Sequence, residues 1–354
     1  MTKNEFVTYL KRYVEVHDLP VRENYKVIKL YRENDQFTII TEYNGQRTQW
    51  RANTVVIASG LMNKPKLPEL STKIKQNILQ LHASAYKNPE QLPEGNILIV
   101  GAGQSGCQIA EELALAGKEV YLASSKVPRA PRRYKGRDVM EWMDLMGIQD
   151  SIAQQLHTDA KLNVAQPQSL GMGLLGHTLS YQSIYHLGVT VLGSLKDIAN
   201  DVFYFADNAK EHIHFADKTS ADIKNKIDDF LKKNTEMQFD ENMTDLADLP
   251  DQHVISACEI EKLKLPVNKV STIIWATGFG YDFGYMDKSL LHGSNRPVQK
   301  DGKIENGLYC IGFPWLRKKK SGLVYGVRED AEIIVKEICK EAGKLNLTKD
   351  VPQY

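Results

Sequence analysis

Apolar residues follow two different spacings along this chain, and the sharpest change between them begins at Asn96. Ile97, Leu98, Ile99 and Val100 follow one another without a polar break, the pattern of a short strand buried on both faces. The sequence runs straight into Gly101-Ala102-Gly103-Gln104-Ser105-Gly106 and then takes up helical spacing. Cys107, Ile109, Ala110, Leu113 and Ala114 share one face. A second apolar run, Val120 to Ala123, follows Gly117. Strand, glycine turn, helix and strand make a βαβ unit.

The same reading extends to the rest of the chain. Residues 5–16 predict an amphipathic helix with Phe6, Tyr9, Leu10, Tyr13 and Val14 on one side, ended by Asp18-Leu19-Pro20. Residues 25–31, 36–43 and 46–52 predict a small antiparallel meander, with Asn44-Gly45 as a hairpin turn. Residues 54–60 form a continuous apolar run ending in Ala58-Ser59-Gly60, and 272–278 nearly repeat it, ending in Ala276-Thr277-Gly278. Two such runs on either side of one βαβ unit predict a nested layout, with one domain split and the other inserted between its halves. Residues 188–193 and 202–205 predict strands, 217–234 a helix, 236–250 an acidic loop and 322–339 a closing helix. Residues 131–150, with Trp142, Met143, Leu145 and Met146, predict a loop and helix that either line a cleft or cover a core.

The glycines of the turn have separate jobs in a dinucleotide site. Gly101 lets the chain leave the strand sharply, Gly103 lets backbone approach a pyrophosphate, and Gly106 lets the helix lie close to the sheet. The amides of Gln104 and Ser105, at the positive end of the helix dipole, then face the phosphates. A glycine-rich turn can also serve packing alone. The strand before it and the helix after it favour the dinucleotide.

The end of the second strand bears on which dinucleotide. An NAD site usually carries Asp or Glu there to hold the ribose 2′-hydroxyl. This chain instead has Ser124, Ser125 and Lys126, then Arg129, Arg132 and Arg133. No acid repels a 2′-phosphate and several cations could pair with one, so NADPH is expected, with Ser125, Lys126 and Arg132 as further contacts. A solvated basic loop is the alternative. The glycine-rich stretch 171–177 follows Ala165-Gln166-Pro167 and no apolar strand, so it is not a second phosphate loop. His82, His177 and His186 are expected to be hydrogen-bonded structural histidines.

Composition changes little. The chain has 354 residues, 42% of them hydrophobic and 25% charged, as in ordinary globular proteins, and that length allows two domains. A net charge of +1 gives no reason to expect nucleic acid or an anionic membrane as partner. No apolar run approaches the roughly 20 residues that span a bilayer. The N-terminus has no signal-peptide pattern, so a cytoplasmic protein is expected. The four cysteines (Cys107, Cys258, Cys310, Cys339) include no C-x-x-C, against a reductase dithiol or a zinc knuckle, and no metal site is expected.

Several stretches together resemble the flavin-containing monooxygenase-like, NAD(P)-binding and FAD-dependent oxidoreductases. His82-Ala83-Ser84-Ala85-Tyr86-Lys87 is similar to the end of their fingerprint, F-x-G-x-x-x-H-x-x-x-Y-K/R, although Gln76 and Ile78 replace its Phe and Gly. Gly101 to Gly106 resembles their NADPH-binding turn, and Ala276-Thr277-Gly278-Phe279 their A-T-G-F/Y strand end. Gly307-Leu308-Tyr309-Cys310-Ile311-Gly312 resembles the strand that leads to the helix on the flavin side. The resemblance covers nearly the whole chain. Tyr86, where Baeyer–Villiger enzymes have Trp, favours the flavin-containing group.

The resemblance implies an α/β protein of two dinucleotide-binding, Rossmann-like domains, one nested in the other. An FAD-type domain would comprise 1–70 and 260–354, and an inserted NADPH-binding domain 71–259. Gly278 and Phe279 would approach the cofactors. Family members begin with a further G-x-G-x-x-G that holds the FAD diphosphate, and nothing before Asn96 has that pattern. The FAD-type domain is therefore expected to be incomplete at its N-terminus. The implied chemistry is hydride transfer from NADPH to FAD, then oxygenation of a soft small-molecule nucleophile such as an amine or sulfide. No residue is assigned a catalytic role. The alternative is an NADPH-binding homologue or partner subunit that does not bind FAD by itself. It would act as a homo-oligomer or beside a separate polypeptide carrying the FAD half.

Overall fold

The computed structural model of the chain describes residues 3–74, 78–152, 176–241, 245–258, 264–293 and 295–343. In chain order the principal elements begin with α1 (Lys3–Val16), β1 (Lys26–Glu33), β2 (Gln36–Tyr43), β3 (Gln46–Ala52) and β4 (Val55–Ile57). Next come β5 (Leu79–His82), β6 (Asn96–Val100), α2 (Gln104–Leu115), β7 (Val120–Ala123), α3 (Val139–Leu145) and α4 (Tyr181–His186). They are followed by β8 (Thr190–Leu192), β9 (Leu195–Ala199), β10 (Val202–Phe205), α5 (Ala209–Lys233) and α6 (Gln252–Ala257). The chain continues with β11 (Lys264–Pro266), β12 (Val270–Trp275), β13 (Lys303–Glu305), β14 (Leu308–Cys310) and α7 (Val327–Glu341). These elements fall into two compact units. By described residues, the first holds 3–64, 148–152 and 279–343, and the second 65–147 and 176–278.

The second unit is built on a five-stranded sheet in the order β8-β7-β6-β12-β5, with every pairing parallel. A parallel sheet needs both faces covered, and the burial of Ile97, Leu98, Ile99, Ile273 and Ile274, all at 0% exposure, meets that need. Ile97 and Ile99 pack with Cys107, Ala110 and Leu113 of α2, while Leu98 and Val100 pack with Phe203, Phe205 and Trp275 on the other side. The smaller antiparallel sheet β9-β10-β11 supplies Phe203, Phe205 and Leu265 to that second face. Trp142 of α3 is fully buried against Ile227 and Leu231 of α5, and its indole N–H donates to the Tyr134 carbonyl at 2.6 Å. Of the two roles left open for 131–150, Trp142 takes the core-covering one.

The first unit contains the expected meander, β1-β2-β3, and a sheet in the order β13-β14-β4 in which β4 and β14 run parallel. Asn44 and Gly45 both take positive φ, 47° and 76°, as the hairpin turn requires. Asn34 and Asp35 do the same between β1 and β2, a turn their residue types also permit. Phe37, Ile57, Leu308, Tyr309, Phe283 and Phe313 form the core of this unit.

One placement is corrected. The run 272–278, expected in the split FAD-type domain, lies inside the second unit, where β12 pairs with both β5 and β6. The second unit therefore runs to Gly278 and not to residue 259, and it starts at Pro65. Continuous apolarity says that a strand is buried on both faces but not which sheet it joins, so the likeness between 54–60 and 272–278 misdirected the assignment. No helix among the described residues is long and apolar enough to cross a membrane.

Candidate dinucleotide site

The glycine turn stands at the carboxyl ends of β6, β7 and β12, where ligands bind in open parallel sheets. Its three glycines answer to different demands. Gly101 has φ +101°, and a Cβ there would lie 2.5 Å from the Ala276 carbonyl oxygen. A Cβ on Gly106 would lie 2.0 Å from the Gly101 carbonyl oxygen, so the fold itself requires glycine at both positions. Gly103 differs. It is the N-cap of α2 with φ −69° and ψ −174°, extended backbone open to any residue, and nothing lies within 4 Å of a Cβ built on it. No side chain caps the helix there, although Ser, Thr, Asp or Asn usually does so. Gln104 and Ser105 open the helix beside it, and its first internal bond runs from the Cys107 amide to the Gly103 carbonyl at 3.1 Å. An uncapped 12-residue helix with empty space at its N-cap suits an anion.

The sheet brings Ser125 and Gly278 to the same edge. Ser125 Oγ accepts from the Ala102 amide at 2.9 Å, which ties the end of β7 to the middle of the turn. The Tyr181 hydroxyl, buried in the core, donates to the Ser125 carbonyl at 2.7 Å. The Gly278 carbonyl accepts from the Lys66 amide at 3.0 Å and from His82 Nε2 at 2.9 Å. A carbonyl can only accept, so Nε2 of His82 carries the proton, and Nδ1 accepts from the Ser84 amide at 3.2 Å. Both ring nitrogens serve the fold. Gly278 is the last residue of the second unit and Phe279 the first of the closing segment of the first unit.

The cations behave differently from one another. Lys126 is exposed but paired, its Nζ 2.8 Å from Glu211 Oε1. Arg132 pairs with Asp138 at 2.7 Å. Arg133 donates to the Gly176 carbonyl at 2.6 Å. Arg129, expected among the cations at the strand end, is 1% exposed and meets Asp217 at 2.6 Å and Asp248 at 3.0 Å. Its guanidinium is a core strut, buried and bound to Asp217, Asp248 and Gln182, which corrects its inclusion in the basic cluster. His177 meets Glu111 at 2.8 Å and His186 meets Asp251 at 2.8 Å. Gly171 and Gly173 lie outside the described residues.

Sequence reasoning missed Glu211 and His212. His212 Nδ1 lies 2.8 Å from Ser124 Oγ, and burial pushes its pKa below the usual histidine value. Both residues belong to the first turn of α5, which begins at Ala209 and not at 217. The spacing of Ile213, Ala216 and Ser220, all buried, was the signal that could have extended that helix.

The match to known proteins follows this architecture. Residues 1–150 fit the family model of the pyridine nucleotide-disulphide oxidoreductases. Oxidoreductase CzcO of Bacillus subtilis (strain 168) is 30% identical over 343 residues, 96% of this chain and 79% of that protein. The chain belongs to the family of the CzcO oxidoreductases. Flavin-containing monooxygenase 1 of Canis lupus familiaris is similar over a shorter stretch, 27% identical over 132 residues, 34% of this chain and 25% of that protein. In fold, a flavin-containing monooxygenase from Stenotrophomonas maltophilia matches with a TM-score of 0.57 at 15% identity, over 94% of this chain and 76% of that one.

The resemblance read from the sequence implies a nicotinamide nucleotide and a flavin, and the two fit the described residues unequally. The turn at Gly101 to Gly106 fits a dinucleotide diphosphate, because the space at Gly103 would be filled by any side chain. In the first unit, Gly60 and Gly312 follow the parallel strands β4 and β14, with φ +66° and +74° and nothing within 4 Å of either Cβ. A second strand, glycine turn and helix is absent among the described residues of that unit. The N-terminus of α7 already carries Glu329 and Asp330, paired with Lys318, Lys320 and Arg317. The diphosphate of FAD therefore does not fit the described residues.

Proposed function

We propose that this chain is an NADPH-dependent oxidoreductase of the flavin-containing monooxygenase type, with the nicotinamide cofactor held by its second unit. The observation that carries this reading is Gly103: a residue whose backbone and surroundings admit any side chain, yet which leaves an uncapped helix N-terminus open. In this reading the amides at Gly103, Gln104 and Ser105 hold the diphosphate, and Gly106 keeps α2 close enough to aim them. Ser125 fixes the turn, Lys126 and Arg132 lie on the side of the adenine ribose, and Gly278 borders the nicotinamide end. The substrate would be a small soft nucleophile.

Gly103→Asp tests the proposal. Aspartate is among the best N-caps and its charge suits the helix dipole, so thermal stability should stay level or rise slightly. The same carboxylate occupies the amides and repels phosphate. Charge-assisted bonds contribute about 1.5–3 kcal/mol each, so losing two should weaken NADPH binding by a factor of about 100 or more in calorimetry. Unchanged affinity in a folded variant refutes the site.

A second reading has its own support. The described residues of the first unit offer no amide cradle for the FAD diphosphate, which favours an NADPH-binding homologue or partner subunit that does not hold FAD by itself. The purified chain, incubated with FAD and desalted, should then show no visible flavin absorbance. One flavin per chain after desalting would remove this reading.

A further inference from the structure

The end of β7 is where a dinucleotide site distinguishes a ribose 2′-hydroxyl from a 2′-phosphate. Ser124 holds the place of the usual carboxylate, but it is 2% exposed and its Oγ is engaged by His212. The next cation, Lys126, is not swinging in solvent. Its ammonium lies 2.8 Å from Glu211 and 5.3 Å from the centre of the Phe215 ring, two residues one helical turn apart on α5. Lys126 and Glu211 are exposed over 55% and 61% of their side chains, so a ligand can reach both. A carboxylate has thus been returned to this edge of the sheet from a helix some 85 residues further along the chain.

We propose that Glu211 restrains 2′-phosphate recognition: by occupying Lys126 and presenting its own negative charge, it keeps the preference for NADPH over NADH to a few-fold. This rests on the reading that the Gly101–Gly106 turn holds a dinucleotide. A 2′-phosphate carries close to two negative charges at neutral pH. Beside Lys126 alone it meets a net attraction; beside the pair the two opposite charges nearly cancel. The ammonium in turn holds the Glu211 carboxyl below the usual carboxylate range, so the carboxylate is ionised at neutral pH.

The test compares four ligands by calorimetry at low salt: NADPH, NADH, 2′,5′-ADP and 5′-AMP. In the unaltered chain NADPH and NADH should bind within about fivefold of each other. Glu211→Gln should tighten NADPH and 2′,5′-ADP by about tenfold and leave NADH and 5′-AMP unchanged. The gain should shrink at high salt, because the charges are exposed, and it should vanish in the double variant Glu211→Gln, Lys126→Gln. If NADH binds and Glu211→Gln leaves the ratio unmoved, or tightens all four ligands alike, Glu211 has no such role while the turn still holds a nucleotide. If neither NADH nor NADPH binds any variant, the turn itself is not a dinucleotide site and both proposals fall.

Discussion

Helices α1 and α2 carry similar amphipathic patterns, yet the two units use them differently. In the second unit α2 buries Cys107, Ile109, Ala110 and Leu113 against a parallel sheet. In the first unit Phe6, Tyr9, Leu10 and Tyr13 of α1 are all exposed. The rings of Phe6, Tyr9, Tyr13 and His17 contact one another in a row along the helix, at 6.5, 6.4 and 4.4 Å between centres. The strands repeat the contrast. β6 and β12 are flanked on both sides, whereas β4 is an edge among the described residues, with Val56 41% exposed. Apolar spacing therefore predicts an element and its inward face, but the partner that face meets is set elsewhere in the chain. Where the partner is present, single atoms decide the geometry. Where it is not, substitutions should cost little.

The largest difference should come from charge. Arg129 in the second unit is buried with Asp217 and Asp248, and its guanidinium also reaches Gln182 at 3.3 Å and the Asp248 carbonyl at 3.0 Å. Removing one partner from a buried network leaves uncompensated charge and costs about 3–5 kcal/mol. In the first unit Lys318 joins Asp150 and Glu329 at 2.7 Å each, but these side chains are a quarter to nearly half exposed and Lys320 contacts the same two acids. Lys318→Ala should therefore cost less than about 1 kcal/mol. Urea denaturation followed by circular dichroism checks the pair. Equal losses would mean that the Arg129 cluster is as well hydrated as the surface one.

How far the sequence discloses this molecule follows from the same distinction. The βαβ unit was legible because its signals are local: four apolar residues, three glycines at fixed spacing and one helical face, all within about 30 residues. The hairpin at Asn44-Gly45 was legible because two adjacent residues determine a type I′ turn. The sheet that receives 272–278 was not, since its neighbours Leu79–His82 and Asn96–Val100 stand nearly two hundred residues earlier. The site divides in the same way. Gly101, Gly103 and Gly106 announce themselves, whereas the fates of Arg129 and Lys126 depend on Asp217, Asp248 and Glu211, brought in by a helix and a loop about 85 to 119 residues away. A run of basic residues states a charge and leaves open whether a carboxylate already holds it.

A smaller effect compares a glycine inside α2 with one just past a strand, and here the opposing terms can be weighed. Gly106→Ala adds a methyl group in a helix, where alanine is favoured over glycine by about 1 kcal/mol. Against this, the new Cβ would lie 2.0 Å from the Gly101 carbonyl oxygen and 3.1 Å from the Ala276 Cβ, so α2 must move off the sheet. Overpacking of this kind costs up to about 3 kcal/mol, and sterics should win by about 2 kcal/mol. Gly60→Ala, at the end of β4, meets no atom within 4 Å and has only its left-handed φ of +66° to offend, at about 1 kcal/mol. Gly106→Ala should also loosen NADPH binding, because it displaces the helix end that aims the amides, while Gly60→Ala should leave that binding unaltered. If Gly106→Ala proved neutral in both stability and affinity, the close approach of α2 to β6 would not be what holds the turn in shape.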